Sequence, residues 1–417
     1  MLIAVSVQSD FLVHQLDVRS AYLHAPIECD VYVAQPEGYV EYSKNGTKLA
    51  WKLLRSLYGL KQSGRNWHGL LRDFLLQNHF VSSVVDPCVY IKKNNDGTTI
   101  LLVWVDDMIL AASSTVLINE MTEVLKNRFK MKDLGEISHF LGIEFSRRND
   151  GIFMTQTLYL KNILDRFDMA SCKSRATPCE MKPASFDNQD DTVDVHNYRE
   201  MVGSLVYAMV CTRPDISFIV TKLSQHLANP TTGDLVMAKH VFRYLKGTLD
   251  YGLFFHKNDH VQLFAYCDAD WGSNVEDRRS ITGYCFSLSD DGPLISWKSK
   301  KQASVALSTC EAEYMSISAT CQEALYLKSL YHDLTGIVTR PLLISNDNQS
   351  AIAIVKNPGK HNRTKHIDIR HHFVREHYQS GDIALDHVES ELNVADIFTK
   401  PASKPKLLGF HKQVFGQ

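Results

Sequence analysis

The sequence predicts an α+β module and an α/β module with a mixed sheet, joined by a helical connector. Three observations lead there: strand-like runs around a turn at Asp96-Gly97 followed by helix-spaced apolar residues, two helical stretches divided by Asn229-Pro230, and strands alternating with helices beyond Val261. A chain of 417 residues has room for two to three domains at roughly 150 residues each. Hydrophobic residues make up 44% of it, with 21 Gly and 12 Pro, so neither a collagen-like nor a wholly disordered chain fits.

Residues 1–35 alternate short apolar runs with polar breaks, and HGLLRDFLLQNHF (68–80) sets Leu70, Leu71, Phe74 and Leu75 on one helical stripe. The run from Cys88 to Ser113 reads as a three-stranded meander, with Asp106-Asp107 interrupting its second apolar stretch. Behind the caps Ser114-Thr115, residues Leu117, Met121, Val124, Leu125 and Phe129 keep helix spacing, which completes an α+β layer. Lys182–Asn197 carries four Asp and few large apolar residues and reads as a linker. Pro214–Ala228 and Asp234–Lys246, the latter stopped by Gly247, form the connector. Then come a strand over Val261–Cys267, a hairpin turning at Asp291-Gly292, a long helix over Thr309–Leu334 and the strand PLLISN. Helices near Asn348–Lys356 and His366–Gln379, the strand IALDHV and a short last helix complete a mixed sheet. The expected boundaries are 1–180, 181–258, 259–402 and a tail at 403–417.

Composition narrows the function. Lys plus Arg total 45 against 47 Asp plus Glu, a net charge of −2, so a nucleic-acid partner has to be held by local patches. Nine scattered cysteines without a C-x-x-C pair point to reduced, mostly buried thiols rather than disulfides or zinc. No apolar run approaches the roughly 18 residues of a membrane span, and MLIAVSVQSD lacks the basic start of a signal peptide, so an intracellular protein is expected.

Two sets of acids stand out. Asp106 and Asp107 are adjacent at a hairpin tip flanked by ILLVW and MILAA, where two ionised carboxylates call for a cation between them. Asp17 ends an apolar run in FLVHQLDVRSAYLHA, where its ordinary role is to cap the next turn. In the C-terminal module Asp268 follows a strand, Glu313 lies early in the long helix, Asp347 follows LLISN and Asp396 opens the last helix. Strand ends and helix starts converge on one side of such a sheet, so four separated carboxylates can meet there and need metal. Ser308-x-x-Glu311 has capping-box spacing, which leaves Glu313 free for chemistry. Asp270 competes with Asp268 for the first position. From Lys356 to Tyr378 stand six Lys or Arg against two acids, which suits phosphate contact as well as a solvated face. His366 and His372 there are not at the i, i+4 spacing of helical metal ligands.

HQLDVRSAYLHA, RSLYGLKQSGRNW, LLVWVDDMILAA and GEISHFLGIEF together resemble the reverse transcriptase of copia-type LTR retrotransposons. YCDADWGSNVEDRRSITGY, ISWKSKKQASVALSTCEAEYMS, NDNQSAI, KHIDIRHHFVRE and NVADIFTKP resemble the ribonuclease H of the same family. The resemblance implies an α+β palm lacking most of the fingers, a helical connector and an α/β ribonuclease H-like domain. It implies two Mg²⁺ at each site, held by Asp17, Asp106 and Asp107 for polymerisation and by Asp268, Glu313, Asp347 and Asp396 for hydrolysis of RNA in an RNA–DNA hybrid. It further implies that Tyr22 excludes a ribose 2′-hydroxyl, that Lys61, Gln62 and Arg65 meet template or nucleotide, and that Lys365 and Arg370 meet the hybrid. The implied partners are an RNA template, a DNA primer, deoxynucleotides and other Pol domains or a second copy, in cytoplasmic particles whose products reach the nucleus. Trp104 and Gly64 depart from the family's usual Tyr and Pro, and only 16 residues precede Asp17 where the fingers belong. Three expectations follow: a bifunctional enzyme, a truncated product with ribonuclease H alone, or a non-catalytic nucleic-acid-binding relic.

Overall fold

A computed structural model describes residues 1–181, 193–258, 260–274, 276–338, 341–357 and 365–417, except the side chains of 365–371. The chain divides into two compact units, residues 9–137 and residues 1–8 with 138–417. The opening helix α1 (Leu2–Gln8) belongs to the larger unit.

The smaller unit contains β1 (Leu12–Val18), the short pair β2 (Tyr32–Ala34) and β3 (Ala50–Lys52), α2 (Ser63–Gln77), β4 (Val81–Ser82), β5 (Val89–Asn94), β6 (Gly97–Trp104), β7 (Asp107–Ala112), α3 (Thr115–Arg128) and β8 (Met131–Glu136). Its six-stranded sheet runs β4-β5-β6-β7-β1-β8, and β5 to β7 are the expected meander. The first hairpin turns one residue earlier than Asp96-Gly97: Asn94 pairs with Gly97, and the Asn94 side chain accepts both Asp96 N–H and Gly97 N–H at 3.1 Å. Gly97 sits at φ 139°, and a Cβ there would lie 2.1 Å from Ser113 Oγ. Helix α3 starts where expected, with Ser114 Oγ accepting Leu117 N–H at 3.4 Å. Trp67, Leu71 and Leu75, at i, i+4 and i+8 of α2, pack with Leu16, Leu101, Leu110 and Phe129 into one core.

In the larger unit, β9 (His139–Phe140), β10 (Ile143–Arg148), β11 (Gly151–Thr155), α4 (Thr157–Arg166), α5 (Val195–Cys211), α6 (Ser217–Ser224), α7 (Thr232–Lys246) and β12 (Leu253–His256) come first. They build a four-stranded antiparallel sheet, β12-β11-β10-β9, and a helical layer. The expected linker is shorter at its end: Val195–Asn197 already belong to α5, because the Asp194 side chain accepts His196 N–H and Asn197 N–H and starts the helix. Residues 182–192 of that linker lie outside the described residues. Thr231 and Asp234 form a capping box on α7. Arg213, wholly buried, donates to Asp215 at 3.0 and 2.7 Å and to Thr248 at 2.9 and 2.6 Å, while Tyr244 Oη–H donates to Asp215 at 2.7 Å.

The rest of this unit is β13 (Phe264–Asp270), β14 (Ile281–Ser287), β15 (Leu294–Lys301), α8 (Thr309–Thr335), β16 (Leu342–Asn346), α9 (Gln349–Lys356), α10 (Lys365–Gln379), β17 (Ile383–His387), α11 (Lys404–Gly409) and α12 (His411–Phe415). The sheet is mixed, as expected: β15-β14-β13 antiparallel, then β16 and β17 parallel to β13. The first strand runs three residues further than the apolar run VQLFAYC, because β14 pairs with it as far as Asp270↔Ile281. Asp268 therefore lies within the strand instead of following it, opposite Gly283. That glycine lets the 3-10 turn Val394–Phe398 close on the sheet; a Cβ at Gly283 would sit 2.8 Å from Phe398 Cβ and 3.0 Å from Ala395 O. All nine cysteines are free, four buried and only Cys29 exposed. Among the described residues no helix is long and apolar enough to cross a membrane.

Candidate metal centres

Each carboxylate expected at the C-terminal site is presented by a different element. Asp268 projects from β13, Glu313 from the second turn of α8, and Asp347 follows β16. One ligand oxygen from each lies within 4.8 Å of the others, with Asp268 and Glu313 buried. This is the only group of three or more candidate ligands so arranged among the described residues. Glu311 has the structural task expected of it, in altered form: Ser308 Oγ accepts Glu311 N–H at 3.2 Å, while the Glu311 carboxylate accepts Leu307 N–H at 2.8 Å.

Neutral groups orient these acids. Asn346, wholly buried, donates to Glu313 Oε2 at 2.9 Å and to Cys267 O at 3.1 Å. Thr399 Oγ1–H donates to Asp268 Oδ2, Ser316 Oγ–H to the Asp268 carbonyl at 2.8 Å, and Ser390 Oγ–H to Asp347 Oδ2. Asn393 donates to Cys267 O at 3.0 Å and so ties the Val394–Phe398 turn to β13. None of Asn346, Thr399, Ser390 or Asn393 was singled out by the sequence, although Asn346 directly precedes Asp347 and both Asn393 and Thr399 stand within three residues of Asp396 in NVADIFTKP.

Burial pushes Glu313 up to about 9, and the Asp268 and Asp347 charges add to it. Asp268 is pushed up to about 6, again mainly by burial. Clustered carboxylates that resist ionisation are the donor set expected for a hard divalent cation. With no metal, folded Glu313 retains its proton up to about pH 9, whereas the unfolded side chain loses it near its ordinary 4.5. Its contribution to stability is therefore fully present below pH 4.5 and lost as pH rises towards 9. In EDTA, the melting temperature of the wild type relative to Glu313→Gln should fall between pH 5 and pH 8.5, and Mg²⁺ should reverse the fall with release of protons.

The fourth expected acid is placed differently. Asp396 is buried in the 3-10 turn, with Lys400 Nζ at Oδ1 and Lys406 Nζ at Oδ2, outside the group of three. Asp270, also on β13, is raised by burial and feels Lys400 and Asp396. The side chains of Lys365 and Arg370, and of His366, lie outside the described residues; α10 itself is present.

In the smaller unit, Asp17 pairs with Asp107 across β1 and β7, and Asp106 stands in the turn between β6 and β7. Asp107 is raised by burial, then by the Asp106 and Asp17 charges, which puts the three carboxylates in one electrostatic cluster. Val105, in the turn, holds φ 56°, a left-handed conformation that costs a β-branched residue of the order of 1–3 kcal/mol. Trp67 of α2 fastens that turn, its indole N–H donating to Val105 O at 2.6 Å, and Val18 N–H donates to Asp106 O at 2.8 Å. Trp104 is 59% exposed beside the acids. Tyr22 packs on Tyr58 with ring centroids 4.5 Å apart, and a Cβ on Gly64 would lie 3.7 Å from its hydroxyl. Lys61 and Arg65 are exposed, and Gln62 Nε2 lies 3.8 Å from Cys29 Sγ. Arg19, Lys126, Arg128 and Lys130 line an open groove with His24, and three of these bases stand in the short run Lys126–Lys130.

Known proteins resemble the whole described chain. A family profile described as reverse transcriptase (RNA-dependent DNA polymerase) matches residues 1–181. The retrovirus-related Pol polyprotein from transposon RE1 of Arabidopsis thaliana is 37% identical over 99% of this chain, which spans 28% of that polyprotein. That from transposon TNT 1-94 of Nicotiana tabacum is 36% identical over 98% of the chain and 32% of its own length. A transposon Ty5-1 protein of Saccharomyces cerevisiae is 30% identical over 74% of the chain and 100% of its own length. A foamy viral protease-reverse transcriptase, solved in complex with dsDNA, covers 93% of this chain and 70% of its own with a TM-score of 0.50 at 11% identity, a likeness of fold alone. With motifs, sheet order and relatives in agreement, the chain belongs to the copia-type LTR retrotransposon Pol family, in its reverse transcriptase and ribonuclease H region.

Proposed function

We propose that this chain copies RNA into DNA and hydrolyses the RNA strand of the resulting hybrid. The observation that carries the hydrolase half is the convergence of Asp268, Glu313 and Asp347 within 4.8 Å, from three elements of one mixed sheet and its helix. An all-carboxylate set with two buried members suits Mg²⁺. When bound, divalent ions would neutralise the cluster and the charge that develops on the phosphodiester. The chain's own part is to hold those oxygens ready: Asn346 fixes Glu313, Thr399 fixes Asp268 and Ser390 fixes Asp347.

The polymerase half rests on Asp17, Asp106 and Asp107 on adjoining strands, with Trp67 bracing the turn. In this reading Mg²⁺ is used there too, Tyr22 screens the sugar, and Lys61, Gln62 and Arg65 meet template or nucleotide. Lys365 and Arg370 follow the hybrid backbone. Residues 1–180 act as the palm, 181–258 as linker and connector and 259–402 as the hydrolase, within family particles in the cytoplasm. A second reading, hydrolysis alone, is favoured by the single tight ligand group among the described residues. Primer extension on RNA separates the two: Asp106→Asn should abolish extension and leave RNA cleavage intact. Wild-type protein that cleaves RNA and never extends a primer would leave hydrolysis alone.

A further inference from the structure

Asp396 is 2% exposed, and its partners are two ammonium groups on different elements. Lys400 follows it by one helical turn, and Lys406 comes from α11 in the C-terminal tail. Lys400 also interacts electrostatically with Asp268 and Asp270, so its charge extends into the acidic centre. Asp268, Glu313 and Asp347 have no lysine or arginine ion pair among the described residues, whereas Asp396 has two. The lysines remain reachable from solvent, at 45% and 27% side-chain exposure, and the carboxylate at 3% does not. An ammonium is a compact point charge on a flexible stem and passes readily from a carboxylate to a phosphate oxygen.

We propose that Lys400 and Lys406 are resident counter-cations that keep Asp396 from a divalent ion in the free protein and move onto a backbone phosphate when the hybrid binds. This rests on the hydrolase reading. Asp396 then joins the ion-holding set only in the presence of nucleic acid, so hybrid binding and the last ion-binding step favour one another. The tail residue Lys406 thereby serves as a positioning residue for a centre built by the preceding sheet.

Mn²⁺ binding to the full chain, counted by electron paramagnetic resonance of the free ion, tests this without reference to turnover. The wild type without nucleic acid should bind one tight ion at the hydrolase centre, and the pair Lys400→Met with Lys406→Met should bind a second at least about tenfold more tightly than the wild type does. Asp17→Asn with Asp106→Asn and Asp107→Asn in every protein removes the other acidic cluster from the count. A hybrid with a phosphorothioate-protected RNA strand should raise the wild-type count to two. Unchanged second-ion affinity in the lysine variants, while Asp347→Asn loses the first ion, would overturn the proposal and leave the hydrolase reading standing. Undiminished binding in Asp347→Asn would instead overturn that reading and the proposal with it. Should the double variant fold poorly by circular dichroism, Lys406→Gln alone, which leaves Lys400 in place, is expected to show a smaller tightening in the same direction, and its absence counts against the proposal equally.

Discussion

Replacing Asp215 by Ala should destabilise the larger unit by about 3–5 kcal/mol, the range for stranding one member of a buried ion pair. Arg213 has no exposure, and Asp215 accepts from its Nε and one terminal nitrogen and from Tyr244. Without that carboxylate a guanidinium remains in the interior with Thr248 as hydrogen-bond partner and the rings of Tyr244 and Tyr251 at 5.4 and 5.5 Å, and no counter-charge among the described residues. A native protein commonly holds about 5–15 kcal/mol in all, so the loss is a large part of the whole. The midpoint of urea unfolding measures it. Arg213→Met with Asp215→Leu removes both charges and should recover much of the loss, because desolvation opposes the pair itself. A single Asp215→Ala variant within about 1 kcal/mol of wild type would mean that water or backbone groups replace the carboxylate.

Glu313→Gln should lower hydrolysis of the RNA strand by at least about 10²-fold. The substitution keeps shape and an oxygen for Asn346 to donate to, and removes only the ability to carry charge beside Asp268 and Asp347. Because burial already holds Glu313 protonated in the metal-free protein, the neutral amide should not weaken the fold, and above pH 7 it should strengthen it. Activity and stability thus move in opposite directions. A variant that loses both would make Glu313 a packing residue; one that loses neither would exclude it from the metal centre.

The meander, helix α3, the capping of α8 and the mixed sheet were legible because apolar period, caps and turn residues agree there. Asp268 shows where local reading falls short. The end of an apolar run looked like the end of a strand, but ladder pairing with β14 carries the strand to Asp270. Helix α5 was hidden by Asp194, which is acidic enough to read as linker and is in fact the cap. The Arg213–Asp215 pair left no local signal either, since its other partners, Tyr244 and Thr248, lie about 30 residues on. At the candidate sites the acids could be named from their motifs, whereas the groups that orient them come from distant segments. Thr399 is 131 residues from Asp268, and Trp67 is 38 from Val105. Of the lysines on Asp396, Lys400 stands in the motif NVADIFTKP, whereas Lys406 lies beyond it in the tail and carried no mark.

The most direct measurement is cleavage of an end-labelled RNA strand annealed to DNA, in Mg²⁺ and in EDTA, by the wild type, Asp347→Asn and Asp106→Asn. Mg²⁺-dependent cleavage by the wild type and Asp106→Asn, lost in Asp347→Asn, is the expected result. RNA left intact by folded wild-type protein, or cut equally by Asp347→Asn, would contradict a hydrolase centre at Asp268, Glu313 and Asp347.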